Sequence, residues 1–262
     1  MKFKKIGILA DDSVAAQNAK KSLIEKYGFV DIVDTNKPKG IDAIVAVGGD
    51  GFMLQTLHNH MEDDIPVYGV NKGTVGFLMN DYREEGIVER MNKAVDSKMH
   101  PLKMTCKCAD GSVKEALAIN EVSILRTTGQ AAKLKIDVDG TTHLDELVSD
   151  GVLVSTPAGS SAYNYSNGGM ILPISSNLLS LTPISPFRPR RWRGALLPNT
   201  AKVKLEVLRN WKRPVKAVAD NFEVDDVSVV EIQLDKSKTI HLLFDSDHTL
   251  DERIMREMFE IC

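Results

Sequence analysis

The chain has 262 residues, enough for one large domain or two modest ones. It carries 33 Lys and Arg residues against 36 Asp and Glu residues, and the net charge of −3 argues against a dedicated nucleic-acid-binding protein. Its three cysteines are too few for a disulfide framework and favour a cytoplasmic location. No apolar run approaches the roughly 18 residues of a membrane span, and no Cys/His spacing predicts a metal site.

Residues 1–98 alternate strand-like and helix-like patterns, which predicts a Rossmann-like α/β domain with a largely parallel sheet. In the first helix, apolar residues recur at spacings of three to four, Ser13 is the expected N-cap and Gly28 ends the pattern. The run Ile41–Val47 is almost continuously apolar, as expected for a strand that is buried on both faces. Further strands are predicted at Lys5–Ala10, Phe29–Val33 and Ile65–Val70, and further helices after residue 51 and around residues 87–95.

From about residue 100 the helical period nearly vanishes and short runs alternate apolar with polar residues, which predicts a β-rich, β-sandwich-like domain. The one helix expected within it is Ser160–Asn167. Cys106 and Cys108 lie in a predicted strand, and we expect their thiols to point to opposite faces. A strand at Ile240–Phe244 and a helix at Leu250–Phe259 follow, and the helix is expected to rejoin the first domain. The predicted domains are residues 1–98 with 245–262, and residues 99–244.

The turn Gly48-Gly49-Asp50-Gly51 separates a buried strand from a helix, at the edge where open α/β sheets bind ligands. Glycines there let the backbone approach a phosphate, and the helix N-terminus favours an anion. A carboxylate repels phosphate, so Asp50 fits better as a proton acceptor for an attacking hydroxyl or as a contact to a phosphate-bound metal ion. The alternative interpretation is that Asp50 only caps the helix.

Two further motifs carry polar groups suited to a nucleotide. Asn120-Glu121 offers an amide beside a carboxylate, which can bind a sugar diol or a base edge, although for the pair taken alone a simple turn is the preferred interpretation. Residues 150–163 read D-G-V-L-V-S-T-P-A-G-S-S-A-Y, an apolar strand followed by a loop of small hydroxyl residues. Such a loop offers hydroxyls and backbone N–H groups to a nucleotide, and Ser160 and Ser161 can also cap the helix that follows.

With these motifs in this order, the chain resembles the NAD kinase family over nearly its whole length. The matching pieces are G-G-D-G at 48–51, G-T-V-G-F-L at 73–78, N-E at 120–121 and the run at 150–163. The resemblance implies transfer of the terminal phosphoryl group of ATP to the 2′-hydroxyl of the adenosine ribose of NAD, with Mg²⁺ or another divalent cation carried by ATP. It also implies a homodimer or homotetramer.

The resemblance assigns roles to individual residues of this chain. Asp50 would accept the proton of the 2′-hydroxyl, and the glycines would shape the phosphate-proximal turn. The remaining implied positions contact the dinucleotide: Phe77 and Leu78 near the adenine, Asn120 and Glu121 at the adenine and ribose, Asp150 near the nicotinamide half, and Ser155, Ser161, Ala162, Tyr163 and Ser166 along the site, with Asp220 in a later Asp-Gly element.

The chain departs from the family pattern at a few positions. Phe52 stands where a Thr usually follows G-G-D-G, and Ala158 and Ser161 replace threonines in the hydroxyl loop. These substitutions preserve small size in the loop, so we expect adjusted rather than lost function. The later Asp-Gly element reads Asp220-Asn221 here, which leaves the role of Asp220 open.

Two other classes of function compete with this interpretation. A lipid kinase can share G-G-D-G, but it needs an apolar cleft or a basic membrane-facing helix. A non-catalytic NADP-binding module would favour Arg rather than Asp50 beside a 2′-phosphate. The arginines between Arg188 and Arg193 either meet substrate phosphates or form a solvated or subunit-interface loop.

Overall fold

The structure, a computed structural model, describes residues 2–32, 40–72, 76–247, 252 and 259. The helices and strands in these ranges are, in chain order, β1 (Ile6–Ala10), α1 (Val14–Tyr27), β2 (Val30–Asp31), β3 (Ala43–Val47), α2 (Asp50–Asn59), β4 (Val67–Asn71), β5 (Asn80–Asp81), α3 (Ile87–Lys93), β6 (Val95–Met99), β7 (Leu102–Cys108), β8 (Val113–Ala118), β9 (Glu121–Arg126), β10 (Ala132–Val138), β11 (Thr141–Ser149), β12 (Gly151–Ser155), a 3-10 helix (Ala158–Ser161), α4 (Tyr163–Ser166), β13 (Leu178–Ile184), β14 (Ala195–Pro198), β15 (Val203–Val207), β16 (Val215–Ala219), β17 (Phe222–Val224), β18 (Val227–Leu234) and β19 (Ile240–Phe244). The chain divides into two compact units, Met1–Met99 with Lys238–Cys262, and His100–Ser237.

The first unit is built on a mainly parallel sheet. Its described strands follow the order β2-β1-β3-β4-β19-β6, with β5 beside β4, and only β6 runs antiparallel to its neighbour. All five residues of β3 are buried, as the continuous apolar run predicts. Helix α1 begins after Ser13, whose hydroxyl accepts the Ala16 N–H, and ends at Gly28 in the left-handed conformation. The predicted α/β domain is confirmed.

The second unit is a sandwich of two antiparallel sheets with strand orders β11-β10-β15-β18-β7-β8 and β14-β13-β12-β9-β16-β17. One hydrophobic core joins the inner faces of both sheets. Cys106 and Cys108 both belong to this core, so the expectation that they face opposite sides was wrong. Residues two apart in a strand point to the same face.

The position of β19 differs from the sequence-based domain boundary. We expected Ile240–Phe244 in the β-rich domain, but this strand pairs with β4 and β6 in the sheet of the first unit. The last residue of the predicted second strand, Val33, lies outside the described residues, as does nearly all of the predicted helix Leu250–Phe259. Within the ranges that the structure describes, no helix is long and apolar enough to cross a membrane.

Candidate functional site

The glycine turn connects β3 to α2 at the carboxyl end of the parallel strands. Gly49 is the N-cap residue of α2 and no side chain caps the helix, so Asp50 is its first helical residue. The capping interpretation of Asp50 was therefore wrong. As a member of the first turn, Asp50 lies where the helix dipole favours a negative charge.

The three glycines of the turn serve different purposes. A Cβ atom at Gly48 would come within 2.9 Å of Phe52 and Asp11, so packing excludes a larger residue there. A Cβ atom at Gly49 or Gly51 would meet nothing within 4 Å, and neither residue has a positive φ. Packing and backbone conformation thus leave these two positions free to carry side chains. Their glycines keep the backbone at the N-terminus of α2 open, which suits the approach of a phosphate.

A loop 27 residues downstream holds the Asp50 carboxylate in one orientation. Its Oδ2 accepts the N–H of Phe77 at 2.7 Å, and its Oδ1 accepts the N–H of Leu78 at 2.9 Å. A Cβ atom at Gly76 would lie only 2.3 Å from Oδ1, so this close approach requires glycine. Each carboxylate oxygen has a second lone pair, so Asp50 can still accept a proton from a ligand.

Phe77 and Leu78 were expected near the adenine, and that placement stays a prediction. The structure shows a further contribution, since their backbone amides bind Asp50. The Leu78 side chain is buried, whereas Phe77 is half-buried. Gly73 to Val75, the first part of the same predicted loop, lie outside the described residues. The role of Gly76 was missed, because the contact that demands glycine comes from a residue distant in sequence.

In the second unit, Ile119 and Asn120 connect β8 to β9, and Glu121 is the first residue of β9; we call residues 119–121 the Asn120-Glu121 turn. The carboxylate of Asp220 accepts three successive backbone N–H groups of this turn, from Ile119 at 2.6 Å, Asn120 at 3.0 Å and Glu121 at 3.2 Å. Asp220 lies in the hairpin between β16 and β17 with a φ of 49°, a conformation that is uncommon for a residue with a side chain. The structure therefore brings Asp220 together with the Asn120-Glu121 pair.

The two side chains of the pair are available to a ligand. The Glu121 Oε2 is buried and has no hydrogen-bond partner among the residues that the structure describes. Burial, and then the negative charge of Asp220, raise the pKa of Glu121 to about 8. The Asn120 side-chain amide makes no hydrogen bond within the described ranges. A buried polar atom without a partner is costly unless something else binds it, so this pair has the properties of a ligand site.

The hydroxyl loop, residues 155–161 at the end of β12, also bonds to the Asn120-Glu121 turn. The Ser155 hydroxyl donates to the Asn120 carbonyl at 3.3 Å, and the Thr156 hydroxyl donates to the Ile119 carbonyl at 2.7 Å. A Cβ atom at Gly159 would lie 2.3 Å from the Asn120 carbonyl oxygen. Ser155, selected as a substrate contact, is fully buried and bonds to the backbone. Thr156 and Gly159 were missed, although both lie in the run singled out from the sequence.

The remaining selected residues of this segment lie on the short helices. Ser161 and Ala162 are half-buried, and Tyr163 and Ser166 are exposed. The buried Asn164 fixes the backbone of this segment. Its side-chain amide donates to two backbone carbonyls, and its Oδ1 accepts the hydroxyl of a residue in β13. The four selected residues therefore remain accessible on a segment with a fixed backbone.

Asp150 lies away from the Asn120-Glu121 turn. It lies before β12, and Ser155, the neighbour of Glu121 in the sheet, lies at the other end of that strand. At about 3.4 Å per residue the two ends are roughly 17 Å apart. The Asp150 carboxylate instead pairs with the Arg126 Nε at 2.6 Å. Its assignment to the nicotinamide half stays a prediction.

No three His, Cys, Asp or Glu side chains among the described residues are grouped so that they could hold a metal ion. The chain itself therefore offers, in these ranges, a carboxylate at a glycine turn and an amide-carboxyl pair beside a rigid loop.

Comparisons with known proteins agree with the sequence motifs. A family model for the ATP-NAD kinase N-terminal domain matches residues 6–99, and one for the C-terminal domain matches residues 119–239. The NAD kinase of Cereibacter sphaeroides is 53% identical over 255 residues, covering 97% of this chain and 98% of its own. The NAD kinase of Zymomonas mobilis is 48% identical over 264 residues and covers all of both chains.

Two solved structures share the fold. Yeast NADH kinase in complex with NADH gives a TM-score of 0.82 at 21% identity, covering 100% of this chain and 88% of its own. An NAD kinase from Archaeoglobus fulgidus in complex with ATP gives a TM-score of 0.75 at 22% identity, covering 97% and 98%. Because both family models match and full-length relatives are about half identical, the chain belongs to the ATP-NAD kinase family.

Proposed function

We propose that this chain transfers the terminal phosphoryl group of ATP to the 2′-hydroxyl of the adenosine ribose of NAD, giving NADP and ADP, with Asp50 as the general base. The observation that carries the proposal is the Asp50 carboxylate, which two backbone amides orient at an open glycine turn. Relatives named NAD kinase at about 50% identity over the whole chain support the same reaction.

The reaction requires that the two substrates are positioned for transfer and that one group accepts a proton. The 2′-hydroxyl gives its proton to Asp50 as its oxygen bonds to the γ-phosphorus, and the bond from that phosphorus to the leaving ADP oxygen breaks. A ribose hydroxyl is a poor nucleophile at neutral pH, and a positioned base contributes about 10²–10⁴-fold. Mg²⁺ enters as part of the MgATP substrate, where it spreads charge over the phosphates. The open backbone at Gly49 and Gly51 lets the phosphates approach α2.

In this proposal, residues of the second unit bind the dinucleotide. Asn120 and Glu121 bind the adenine and ribose, because the Asn120 amide and the Glu121 Oε2 make no hydrogen bond to any residue in the described part of the chain. The other proposed contacts are those left accessible on the short helices, Ser161, Ala162, Tyr163 and Ser166. Ser155 and Asp220 support the site through backbone bonds.

We also propose that the enzyme is cytoplasmic and assembles as a homodimer or homotetramer. The two cysteines described, Cys106 and Cys108, are both free thiols, which suits a reducing compartment. Light scattering on the purified protein measures the assembly, and a mass of 28.9 kDa for the particle would contradict it.

The deciding experiment incubates purified protein with NAD, ATP and Mg²⁺ and measures NADP with an NADP-specific dehydrogenase. We expect NADP from the wild type and almost none from Asp50→Asn. Absence of NADP from a folded protein that still binds NAD would overturn the proposal and favour a binding module. Phosphorylation of a lipid in vesicles without any NADP would favour a lipid kinase instead.

A further inference from the structure

Asp220 both accepts hydrogen bonds from the Asn120-Glu121 turn and donates one to it. The Asp220 carboxylate accepts the three successive amides from Ile119 to Glu121, and the Asp220 N–H donates to the Glu121 carbonyl at 3.2 Å. β16 also pairs with β9, so the hairpin and the turn belong to neighbouring strands of one sheet. Four hydrogen bonds thus connect one residue to the turn, and three of them depend on its side chain.

The backbone of Asp220 has a conformation that glycine adopts without strain. With a φ of 49°, this position favours glycine, or asparagine and aspartate among residues with a side chain. Residues held in such conformations concentrate at functional sites, where the surrounding contacts determine them. Charge-assisted bonds from a carboxylate to backbone amides are stronger than bonds between neutral groups. An aspartate here therefore gives the turn a fixed geometry that glycine could not provide.

We propose that Asp220 is a positioning residue of the NAD site, which aims the Asn120 amide and the Glu121 carboxyl group at the substrate without touching it. This inference rests on the proposed function. It replaces the direct substrate contact that sequence analysis assigned to Asp220, because the carboxylate already serves three amides of the turn.

The charge of Asp220 has a second effect on the same pair. Burial is the main cause that raises the pKa of Glu121 to about 8, and repulsion by Asp220 adds to it. The residue opposite Glu121 in β12 is Ser155, and the adjoining loop contributes Thr156, so these elements present hydroxyl groups to the turn. At neutral pH Glu121 is then mostly protonated and offers one O–H donor and one carbonyl acceptor to a ribose diol.

The test uses two variants and one matched control. Asp220→Asn keeps the shape, but its NH₂ group faces an amide donor, so at least one of the three bonds is lost. Asp220→Gly removes the carboxylate and relaxes the backbone, so the hairpin should remain folded. The control is Asp110→Asn, because Asp110 also bonds to a backbone amide in a hairpin of this unit but lies in the β7–β8 turn.

We expect both Asp220 variants to raise the KM for NAD at least ~10-fold with kcat changed less than ~3-fold, the pattern of lost substrate binding. The control should match the wild type. We also expect the pKa of Glu121, followed by NMR, to fall below 8 in both variants. A role confined to stability would leave the KM unchanged, whereas the fall in the pKa reports only the lost charge of Asp220. An unchanged KM for NAD in either folded variant overturns the inference.

A third readout needs no activity. Hydrogen exchange at the amides of Ile119, Asn120 and Glu121 should accelerate at least ~10-fold in Asp220→Gly, which loses all three bonds, and at one or more of them in Asp220→Asn, but not in the control. Unchanged exchange contradicts the positioning role. If the wild type makes no NADP, the proposed function fails while hydrogen exchange still decides whether Asp220 holds the turn.

Discussion

Replacing Asp50 by Asn separates the chemistry of the carboxylate from its structural bonds. The base contributes about 10²–10⁴-fold, so kcat should fall by that factor, equivalent to about 3–5 kcal/mol in activation free energy. The structure adds a cost in stability. Asn has one acceptor oxygen, so either the Phe77 N–H or the Leu78 N–H loses its partner. A part-buried donor left unsatisfied costs about 1–3 kcal/mol.

The assay combines steady-state kinetics with thermal unfolding and NAD titration. For a chain of this size, 1 kcal/mol moves Tm by roughly 2–4 °C, so Asp50→Asn should melt several degrees lower and still be folded at 25 °C. NAD affinity should change little, because the proposed dinucleotide contacts lie on other residues. Catalysis should therefore fall far more than binding or stability.

Asp42 provides the matched control at the opposite end of β3. Its Oδ2 accepts two backbone N–H groups, from Lys4 at 2.8 Å and Lys5 at 2.9 Å, and these bonds hold the pKa of Asp42 below its usual value. Asp42→Asn removes the same charge at the other end of the same strand. It should leave kcat unchanged. A kcat for Asp50→Asn within about threefold of the wild type, or an equal loss of kcat in Asp42→Asn, would refute the role of Asp50 as the general base.

Three further predictions follow from the contacts described above. In Gly76→Ala the new Cβ would displace the Asp50 carboxylate, so kcat should fall by about 10²-fold with little change in NAD affinity measured by calorimetry. Between pH 4.5 and 8, Glu121 loses its proton in the unfolded chain but keeps it when buried in the folded protein. The free energy of unfolding, measured with urea, should therefore decline as pH rises through this range. Glu121→Gln should remove up to roughly 5 kcal/mol of this decline, at about 1.4 kcal/mol per pKa unit. Burial raises the pKa of Cys106 to about 12, so in a Cys108→Ser, Cys262→Ser background the remaining thiol of the native protein should not react with a thiol reagent at pH 8.

The sequence predicted those elements that depend on neighbouring residues. An apolar run specifies a strand such as β3 because both of its faces are buried, and Ser13 and Gly28 mark the ends of α1 through local capping. Strand β19 was placed in the wrong unit for the opposite reason. Its apolar pattern identifies a strand, but nothing local tells which sheet supplies its hydrogen-bond partners.

The supports of the candidate site were beyond prediction because they join distant segments. Asp50 meets amides 27 and 28 residues away, and Asp220 meets amides about 100 residues away. Neither separation carries a periodic signal that propensity or patterning can detect. The motifs therefore indicated which residues matter, while the contacts that orient them emerged only from the fold.

The hydroxyl loop after β12 shows why a binding motif overstates the number of direct contacts. Its small polar residues suggested hydroxyls offered to a nucleotide, yet Ser155, Thr156 and Ser160 are buried and bond to backbone carbonyls. A tight loop leaves backbone groups unpaired, and small hydroxyl side chains satisfy them locally without adding bulk. Substituting Thr156 should therefore reduce NAD binding through a displaced Asn120-Glu121 turn, whereas Ser161, whose hydroxyl bonds to none of the described residues, is the position where a direct contact to the dinucleotide is expected.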